Sequence, residues 1–217
     1  DLVCAYKLNL AFYESAGEKY YETIQKTLEY ISEEIITIAD GKRGDIGNTA
    51  EQYAKIIFDD WKFDAATVNP YMGKDSIEPF IKSEDRCAFI LTLTSNPGSK
   101  DFQYIDIKGK PLYEHVVENA VNWNTKRNIG LVVGATHPAE LKKIRSLVPE
   151  MPLLIPGIGA QQGEMEETVR SGCDRNGELA LINVSRGIIY ASQADDFSKR
   201  AREAALKYKE QINNFRG

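Results

Sequence analysis

The chain has 217 residues, 42% hydrophobic and 27% charged, a composition typical of a globular protein with one sizeable core. Its net charge of −5 argues against general nucleic-acid binding, although a local cationic patch could still hold an anionic substrate. We find neither a membrane-spanning apolar run nor a signal-peptide pattern, and three cysteines without CxxC spacing predict reduced thiols in a cytosolic protein. We therefore expect a single domain over residues 1–217 that binds neither nucleic acid nor membrane.

Short apolar segments rich in β-branched residues alternate along the chain with longer segments of helical periodicity. The predicted strands are 2–8, 35–40, 64–69, 87–94, 128–135, 152–156 and 179–185. The predicted helices are about 17–33, 48–61, 74–82, 111–126, 137–147, 161–171 and 194–213, with N-caps at Asn48, Thr136 and Asp195 and with Pro138 in a first helical turn. This alternation predicts parallel strands joined by helical crossovers.

Seven βα units fit two α/β architectures, an open doubly wound sheet or a closed (β/α)₈ barrel. Seven is one unit short of a barrel, but the sequence opens on a strand, so a first unit missing from this numbering would complete it. In both architectures functional side chains gather at the carboxyl ends of the strands. Those ends are therefore the first places to look for a site.

Charged residues of alternating sign follow the first two predicted strands. Lys7 closes the first strand, and Asp40, Lys42 and Asp45 follow the second in "ADGKRGD". Positions two apart in extended backbone point to one side, so Asp40 and Lys42 could face a shared pocket. If Lys7 lies on the neighbouring strand, the four groups can alternate in sign, which tolerates burial better than a lone charge. A solvated turn is the alternative, because an acid at position 45 also suits a helix start.

Two later segments suggest phosphate binding. "LLIPGIGAQQG" (153–163) has glycines in the spacing G-x-G-x-x-x-G, which does not fit a dinucleotide fingerprint but does fit a cradle of backbone amides. A glycine-rich turn that binds nothing explains this segment equally well. Arg186, followed by Gly187 after the last predicted strand, presents a fork of donors where the final strands of a barrel often bind phosphate.

Other candidates carry weaker signals. "TSNPG" (94–98), which contains Ser95, could hydrogen-bond a heterocycle or an amide edge, but Asn-Pro-Gly is also ample signal for a plain turn. The segment 67–76, "TVNPYMGKDS", is expected to be architectural. His115 and His137 have no partner at metal-binding spacing, so we expect structural roles for both.

Taken together, these motifs resemble the orotidine 5′-phosphate decarboxylase family, and most of all its longer-chain bacterial and apicomplexan-like branch. The similarity rests on Lys7, "DGKRGDIGNT" (40–49), "TSNPG", "PGIGAQ" (156–161) and "SRG" (185–187), and it covers nearly the whole chain in the same order. The resemblance implies a (β/α)₈ barrel that works as a homodimer, without metal or organic cofactor. It also implies the substrate, orotidine 5′-monophosphate, and the product, UMP.

The resemblance further implies roles for individual residues. Lys42 would protonate C6 of the pyrimidine as carbon dioxide leaves, and flanking carboxylates favour the ammonium form that this role needs. Asp40 would lie beside the leaving carboxylate, and Lys7 would hold Asp40 and the ribose. Three residues would enter the site of the partner subunit: Asp45, Ile46 and Thr49. Five more would contact the substrate, the last two at its phosphate: Asn9, Ser95, Pro156, Gln161 and Arg186.

This sequence departs from the family pattern in two places, and other functions stay open. The family's first strand carries a ribose-binding aspartate that this numbering lacks, and Ser185 stands where many relatives have glycine. A magnesium-dependent sugar-phosphate decarboxylase or hexulose-phosphate synthase shares the D-x-K-x-x-D barrel but needs an additional acid for the metal. A Schiff-base aldolase is disfavoured because flanking carboxylates oppose a neutral lysine. A non-catalytic phosphate sensor would not need the intact set of charges.

Overall fold

The computed structural model describes residues 1–158 and 162–216, in which strands and helices alternate. The strands are β1 (Ala5–Asn9), β2 (Ile36–Arg43), β3 (Ala65–Val68), β4 (Cys87–Leu93), β5 (Asp106–Ile107), β6 (Lys110–Pro111), β7 (Ile129–Val133), β8 (Leu153–Pro156) and β9 (Ala180–Asn183). The α-helices are α1 (Leu10–Glu14), α2 (Tyr20–Tyr30), α3 (Gly47–Lys55), α4 (Leu112–Trp123), α5 (Pro138–Leu147), α6 (Gln162–Gly172), α7 (Arg186–Ile189) and α8 (Phe197–Phe215). Helix α3 continues into a π-helical turn, Ile56–Asp60.

Within the described residues, seven strands form one sheet in the order β1-β2-β3-β4-β7-β8-β9, and β5 and β6 form a separate antiparallel pair. The pairs β1–β2, β2–β3, β3–β4 and β8–β9 are parallel. Because the order of these seven strands follows the sequence without reversal, it has the topology of a (β/α)₈ barrel and not of a doubly wound sheet. The barrel prediction is therefore confirmed over its alternative.

One of two compact units consists of Cys4–Leu91 and Glu118–Leu131. All four residues of β3 are buried, as expected of a parallel strand that is covered on both faces. The core of this unit includes Ile57, Phe63 and Phe80, each at most 1% exposed. This apolar core lies in the same unit as the ends of β1, β2 and β3, where the predicted charged residues lie.

The other compact unit consists of Asp1–Val3, Thr92–Val117 and the chain from Val132 onwards. It contains the parallel pair of β8 and β9 and the helices α5, α6, α7 and α8. Leu141 and Ile144 of α5 are fully buried in it. No helix in the described ranges is both long and apolar enough to cross a membrane.

Arg145 of α5 joins several segments of this second unit although it is only 8% exposed. Its guanidinium donates four hydrogen bonds of 2.8–2.9 Å to the carbonyls of Val148, Met151, Gly172 and Leu179. Burial lowers the pKa of Arg145, whereas the charge of Asp174 acts in the opposite sense. Peptide carbonyls thus compensate a buried cation and tie α5 to the end of α6 and the start of β9.

The seven predicted strands and most of the predicted helices are confirmed. The segment 74–82 forms 3₁₀ turns instead of an α-helix, because Pro79 has no N–H to donate to the carbonyl of Asp75 four residues earlier. The N-cap predictions were wrong by one or two residues: the caps are Ile46, His137 and Asp196 instead of Asn48, Thr136 and Asp195. Pro138 does begin α5. The expectation of a single domain stays a prediction.

Replacing Arg145 by Met should lower the free energy of unfolding by roughly 2–4 kcal/mol, because four carbonyls lose a charged donor that joins their segments. Urea unfolding followed by circular dichroism measures this change. Arg170→Met is the control, since Arg170 lies on α6, is 63% exposed and pairs with Glu166 four residues earlier. It should cost less than about 1 kcal/mol. Equal losses in the two variants would contradict the role of Arg145.

Candidate active site

Asp40 lies in β2 with only 7% of its surface exposed. Its carboxylate accepts hydrogen bonds from three side chains: Oδ2 from Lys7 Nζ, and Oδ1 from Lys42 Nζ at 2.7 Å and from Thr67 Oγ1 at 2.9 Å. We call Lys7, Asp40, Lys42 and Thr67 the carboxylate cluster. Both carboxylate oxygens face donors, which is the environment that keeps a buried acid ionised.

Lys7 reaches Asp40 from the adjacent strand. Strands β1 and β2 run parallel, with Lys7 opposite Ile38 and Asn9 opposite Asp40. The Lys7 side chain is only 13% exposed, so this ion pair lies largely out of water. The prediction that Lys7 lies on the strand next to Asp40 is confirmed. Such a pair interacts more strongly than a surface pair, and its strength depends on its geometry.

Lys42 reaches the same carboxylate through irregular backbone. The register of β2 against β3 is interrupted between Ala39 and Arg43. Within this interruption Lys42 has φ +46°, in the left-handed region that strains any residue with a Cβ. Its amide donates a hydrogen bond of 2.9 Å to Thr67 Oγ1. Lys42 and Asp40 therefore meet as predicted, but through a strained turn of the strand and not through regular alternation.

The lysines decide the ionisation of Asp40. Burial by itself raises the pKa of the Asp40 carboxyl, but the charge of Lys7 and the hydrogen bonds from Lys42 and Lys7 outweigh it and hold that pKa below its ordinary value. The Lys42 side chain is 45% exposed, so its ammonium is open to solvent beside a fixed carboxylate. A cation held in this way can stabilise negative charge that develops on a bound molecule and can donate a proton to it.

Four other predicted residues near these strands lie outside the carboxylate cluster. The Asp45 carboxylate accepts the amide of Ile46 at 2.8 Å and forms no ion pair within the described chain. Ile46 is 54% exposed, and Thr49 is exposed on α3. Asn9 caps α1, where its side chain accepts the amide of Ala11 at 3.3 Å. Of the four charged residues that were expected to alternate in sign, a single chain therefore brings together Lys7, Asp40 and Lys42 but not Asp45.

Ser95 lies in the loop after β4, against two glycines. A Cβ on Gly134 would come within 2.7 Å of Ser95 N, and a Cβ on Gly157 within 3.1 Å of Ser95 Oγ. Gly157 also has φ +95°, a conformation that other residues rarely adopt. These glycines directly follow β7 and β8. The glycine of "PGIGAQ" at position 157 therefore makes room for Ser95.

The residue before Ser95 is held by side chains that the sequence analysis did not assign to it. Gln103 Oε1 accepts the amide of Thr94 at 2.8 Å, and Gln103 Nε2 donates to Thr94 Oγ1 at 2.8 Å. His137 Nε2 donates to the Thr94 carbonyl at 3.0 Å, and His137 Nδ1 lies 3.3 Å from the Tyr104 hydroxyl. His137 thus has the satisfied structural role expected of it. The backbone leading into Ser95 is fixed at each of its polar groups.

Arg186 opens the short helix α7 after β9, and its guanidinium has no hydrogen-bond or ion-pair partner among the described residues. Gly187 beside it packs closely against α8, where a Cβ on this residue would lie 2.5 Å from the Tyr208 hydroxyl. Pro156 ends β8 and is half-buried. Gln161, the other predicted phosphate contact, lies outside the described residues. Arg186 therefore has donors available for an anion.

Thr67 is the member of the carboxylate cluster that sequence reasoning missed. A threonine is ordinary in a β-strand, and the segment that begins with it was expected to be architectural. The one available signal was that Thr67 lies among small apolar residues in "DAATVN", which predicts a buried side chain. A buried hydroxyl needs a hydrogen-bond partner, so a polar side chain had to lie nearby. The residue that supplies this partner could not be identified before the strand pairing was known.

Comparisons with known proteins agree over nearly the entire chain. The profile of the Orotidine 5'-phosphate decarboxylase / HUMPS family matches residues 1–201. An orotidine 5'-phosphate decarboxylase of Dehalococcoides mccartyi is 51% identical over 99% of this chain and 81% of its own. One from Ralstonia pickettii is 46% identical over 100% of this chain and 80% of its own. The structure of Leishmania donovani OMP decarboxylase matches with a TM-score of 0.89 at 38% identity, covering 98% of this chain and 80% of that one.

Replacing Asp40 by Asn should change how stability depends on pH. Because the pKa of Asp40 in the folded chain lies below its ordinary value of 3.8, its contribution is complete above that value and is lost as the pH falls through the folded value. The difference in unfolding free energy between wild type and Asp40→Asn should therefore shrink from about pH 5 to about pH 3. Urea unfolding at a series of pH values measures it. A difference that is constant over this range contradicts the ion-pair assignment.

Proposed function

The chain belongs to the orotidine 5′-phosphate decarboxylase / HUMPS family, and on that premise we propose that it decarboxylates orotidine 5′-monophosphate to UMP, a step of pyrimidine biosynthesis. The observation that carries this proposal is the carboxylate cluster, in which Lys7 and Lys42 flank the buried Asp40. The cluster supplies charge and a proton donor from side chains, so the proposal involves no metal or organic cofactor. Free cysteines support a cytosolic location.

The reaction breaks the bond between C6 of the pyrimidine and its carboxylate. The bonding electron pair stays on C6 while carbon dioxide leaves, and the ring delocalises that pair poorly. An enzyme accelerates such a step by stabilising charge that exists only in the transition state. We assign this task to the Lys42 ammonium, which would stabilise the pair at C6 by electrostatic preorganisation and then donate its proton to give UMP.

Asp40 has two tasks in this mechanism. It holds Lys7 and Lys42 in place as cations, which the 2.7 Å contact to Lys42 Nζ and the buried contact to Lys7 support. It would also lie beside the substrate carboxylate, where repulsion raises the energy of the ground state; we give this a subsidiary weight. Lys7 would contact the ribose in addition to Asp40.

The remaining assignments concern the grip on the substrate. We assign the phosphate to Arg186, whose guanidinium has no partner among the described residues and suits bidentate binding, together with Gln161. Ser95 would hydrogen-bond the pyrimidine, Pro156 would pack near the ring, and Asn9 would provide a further polar contact. Binding energy at a phosphate far from C6 can be used to hold the ring in its reactive position.

We further propose that the enzyme is a homodimer in which Asp45, Ile46 and Thr49 enter the site of the partner subunit. The support is that Asp45 forms no ion pair within the described chain and that Ile46 is 54% exposed. Exposed apolar side chains also occur in the turn after β3, where Tyr71 is 85% and Met72 50% exposed. Large exposed apolar side chains of this kind supply the apolar area that protein interfaces bury.

Magnesium-dependent sugar-phosphate enzymes of the same barrel group are the main alternative. The family description covers more than one activity, but the relatives at 46% and 51% identity are named as decarboxylases of orotidine 5'-phosphate. Purified protein with orotidine monophosphate should show a fall in ultraviolet absorbance that EDTA does not change. Borohydride trapping of a substrate adduct would instead favour a Schiff-base aldolase, and binding without turnover would favour a phosphate sensor.

Lys42→Ala should lower kcat at least roughly 100-fold, because it removes both the cation and the proton donor. The ultraviolet assay measures the rate, and binding of UMP should survive because the phosphate contacts are untouched. Lys62→Ala is the control, since Lys62 is also an exposed lysine in left-handed backbone, with φ +64°. Lys62→Ala should keep wild-type turnover. A Lys42→Ala enzyme that retains a few per cent of kcat is incompatible with the assignment.

Mixing two inactive variants tests whether sites are shared between subunits. Lys42→Ala and Asp45→Asn damage the same site from different chains if Asp45 acts in the partner. A mixed dimer then has one site with both defects and one with neither, so random exchange should restore about a quarter of wild-type activity. Native mass spectrometry shows whether mixed dimers have formed. Mixed dimers without recovered activity would rule out sharing.

A further inference from the structure

We propose that Thr67 is a positioning residue of this site: its hydroxyl holds the Lys42 backbone in the left-handed conformation and aligns the ionised Asp40 beside the Lys42 ammonium. The inference rests on the proposed function, in which Lys42 donates the proton. It adds a residue of β3 to the machinery, and it predicts that a side chain without substrate contact controls turnover.

The hydrogen-bonding role of the Thr67 hydroxyl is fixed by its partners. The Lys42 amide can only donate, so Thr67 Oγ1 accepts at 2.9 Å. The single hydroxyl proton is then available to Asp40 Oδ1, 2.9 Å away, which also accepts Lys42 Nζ at 2.7 Å. Backbone amide, hydroxyl, carboxylate and ammonium thus form a closed ring in which Asp40 only accepts. Because Lys7 Nζ also donates to Oδ2, neither carboxylate oxygen has room for a proton, and the arrangement requires Asp40 in its ionised form.

Burial makes the Thr67 hydroxyl difficult to replace in this arrangement. Thr67 is 1% exposed, so water cannot easily take over the place of its hydroxyl. Lys42 has φ +46°, and a strained conformation of this kind persists only where its surroundings hold it. Without Oγ1 the Lys42 amide loses its acceptor and the backbone can relax. Relaxation would move the Lys42 ammonium away from its position beside Asp40.

The chain supplies a matched control near the opposite end of β2. Thr37 is 7% exposed, its hydroxyl accepts the amide of Asp64 at 3.2 Å, and it donates to Asp64 Oδ2 at 2.8 Å. Like the Thr67 hydroxyl, the Thr37 hydroxyl is therefore buried, accepts one backbone amide and donates to one aspartate. Unlike Thr67, Thr37 hydrogen-bonds to neither Asp40 nor Lys42. Loss of a buried hydroxyl should destabilise both variants similarly, whereas an effect on turnover should be specific to Thr67.

The kinetic experiment compares Thr67→Val, Thr67→Ser and Thr37→Val with wild type on orotidine monophosphate. Thr67→Val should lower kcat roughly 10- to 100-fold. This is the size of effect expected when one buried amide and one carboxylate each lose a hydrogen-bond partner that positions the proton donor. KM should change less than about threefold, because the substrate contacts remain. Thr67→Ser, which keeps the hydroxyl, should restore kcat, and Thr37→Val should keep it. If Thr67→Val does not fold, Thr67→Ala takes its place.

A second measurement needs no substrate. The ¹³C resonance of the Asp40 carboxyl, assigned by its absence in Asp40→Asn, should titrate at higher pH in Thr67→Val than in wild type, because the charged form loses a donor. It should titrate as in wild type in Thr37→Val. The inference is overturned by an unchanged titration in Thr67→Val, by equal kcat losses in Thr67→Val and Thr37→Val, or by a Thr67→Ser enzyme as slow as Thr67→Val. If wild type does not turn over orotidine monophosphate but the Asp40 titration is still shifted in Thr67→Val, only the proposed function is refuted.

Discussion

An ionised carboxylate that is only 7% exposed can exist inside a protein only where its charge is compensated locally, and Asp40 meets this condition. Its donors come from three successive strands: Lys7 from β1, Lys42 from β2 itself and Thr67 from β3. The register of these strands therefore determines the charge state of Asp40. Conversely, a buried charge that loses a partner costs about 3–5 kcal/mol, so the site in turn specifies the strand pairing.

The position of Lys42 has a local cost that its neighbours offset. In a regular strand, residues two apart lie about 6.6 Å apart along the strand, and a lysine would have to fold back to reach the acid. Here the register is interrupted between Ala39 and Arg43, and Lys42 is left-handed. Such strain costs about 1–3 kcal/mol. The hydrogen bond to Thr67 and the ion pair with Asp40 hold the backbone in this state, which keeps the ammonium fixed.

Much of this architecture was predictable because apolar periodicity determines strands and helices, and parallel connections bring strand ends together. The pairing of Lys7 with Asp40 was expected on the condition that β1 and β2 are neighbours, and the strand pairing meets that condition. The role of Thr67 could not be predicted in this way. In the sequence, a threonine in a buried strand cannot be distinguished from a valine by its role until the strand register shows which groups its hydroxyl contacts. Asp45 was also ambiguous, since its spacing suits a helix start as well as a site. Within one chain its carboxylate accepts only the neighbouring amide of Ile46.

The glycines at the strand ends illustrate a further limit of sequence reasoning. Gly157 was compatible with a phosphate cradle or with a turn that binds nothing, and its φ of +95° and its approach to Ser95 Oγ give it a packing role that neither interpretation contained. Gly134 has a similar task, since a Cβ there would lie 2.7 Å from Ser95 N. A side chain at either glycine would displace the loop that Gln103 holds through Thr94. The positive φ of Gly157 and the missing side chain of Gly134 therefore both help to fix the position of one serine.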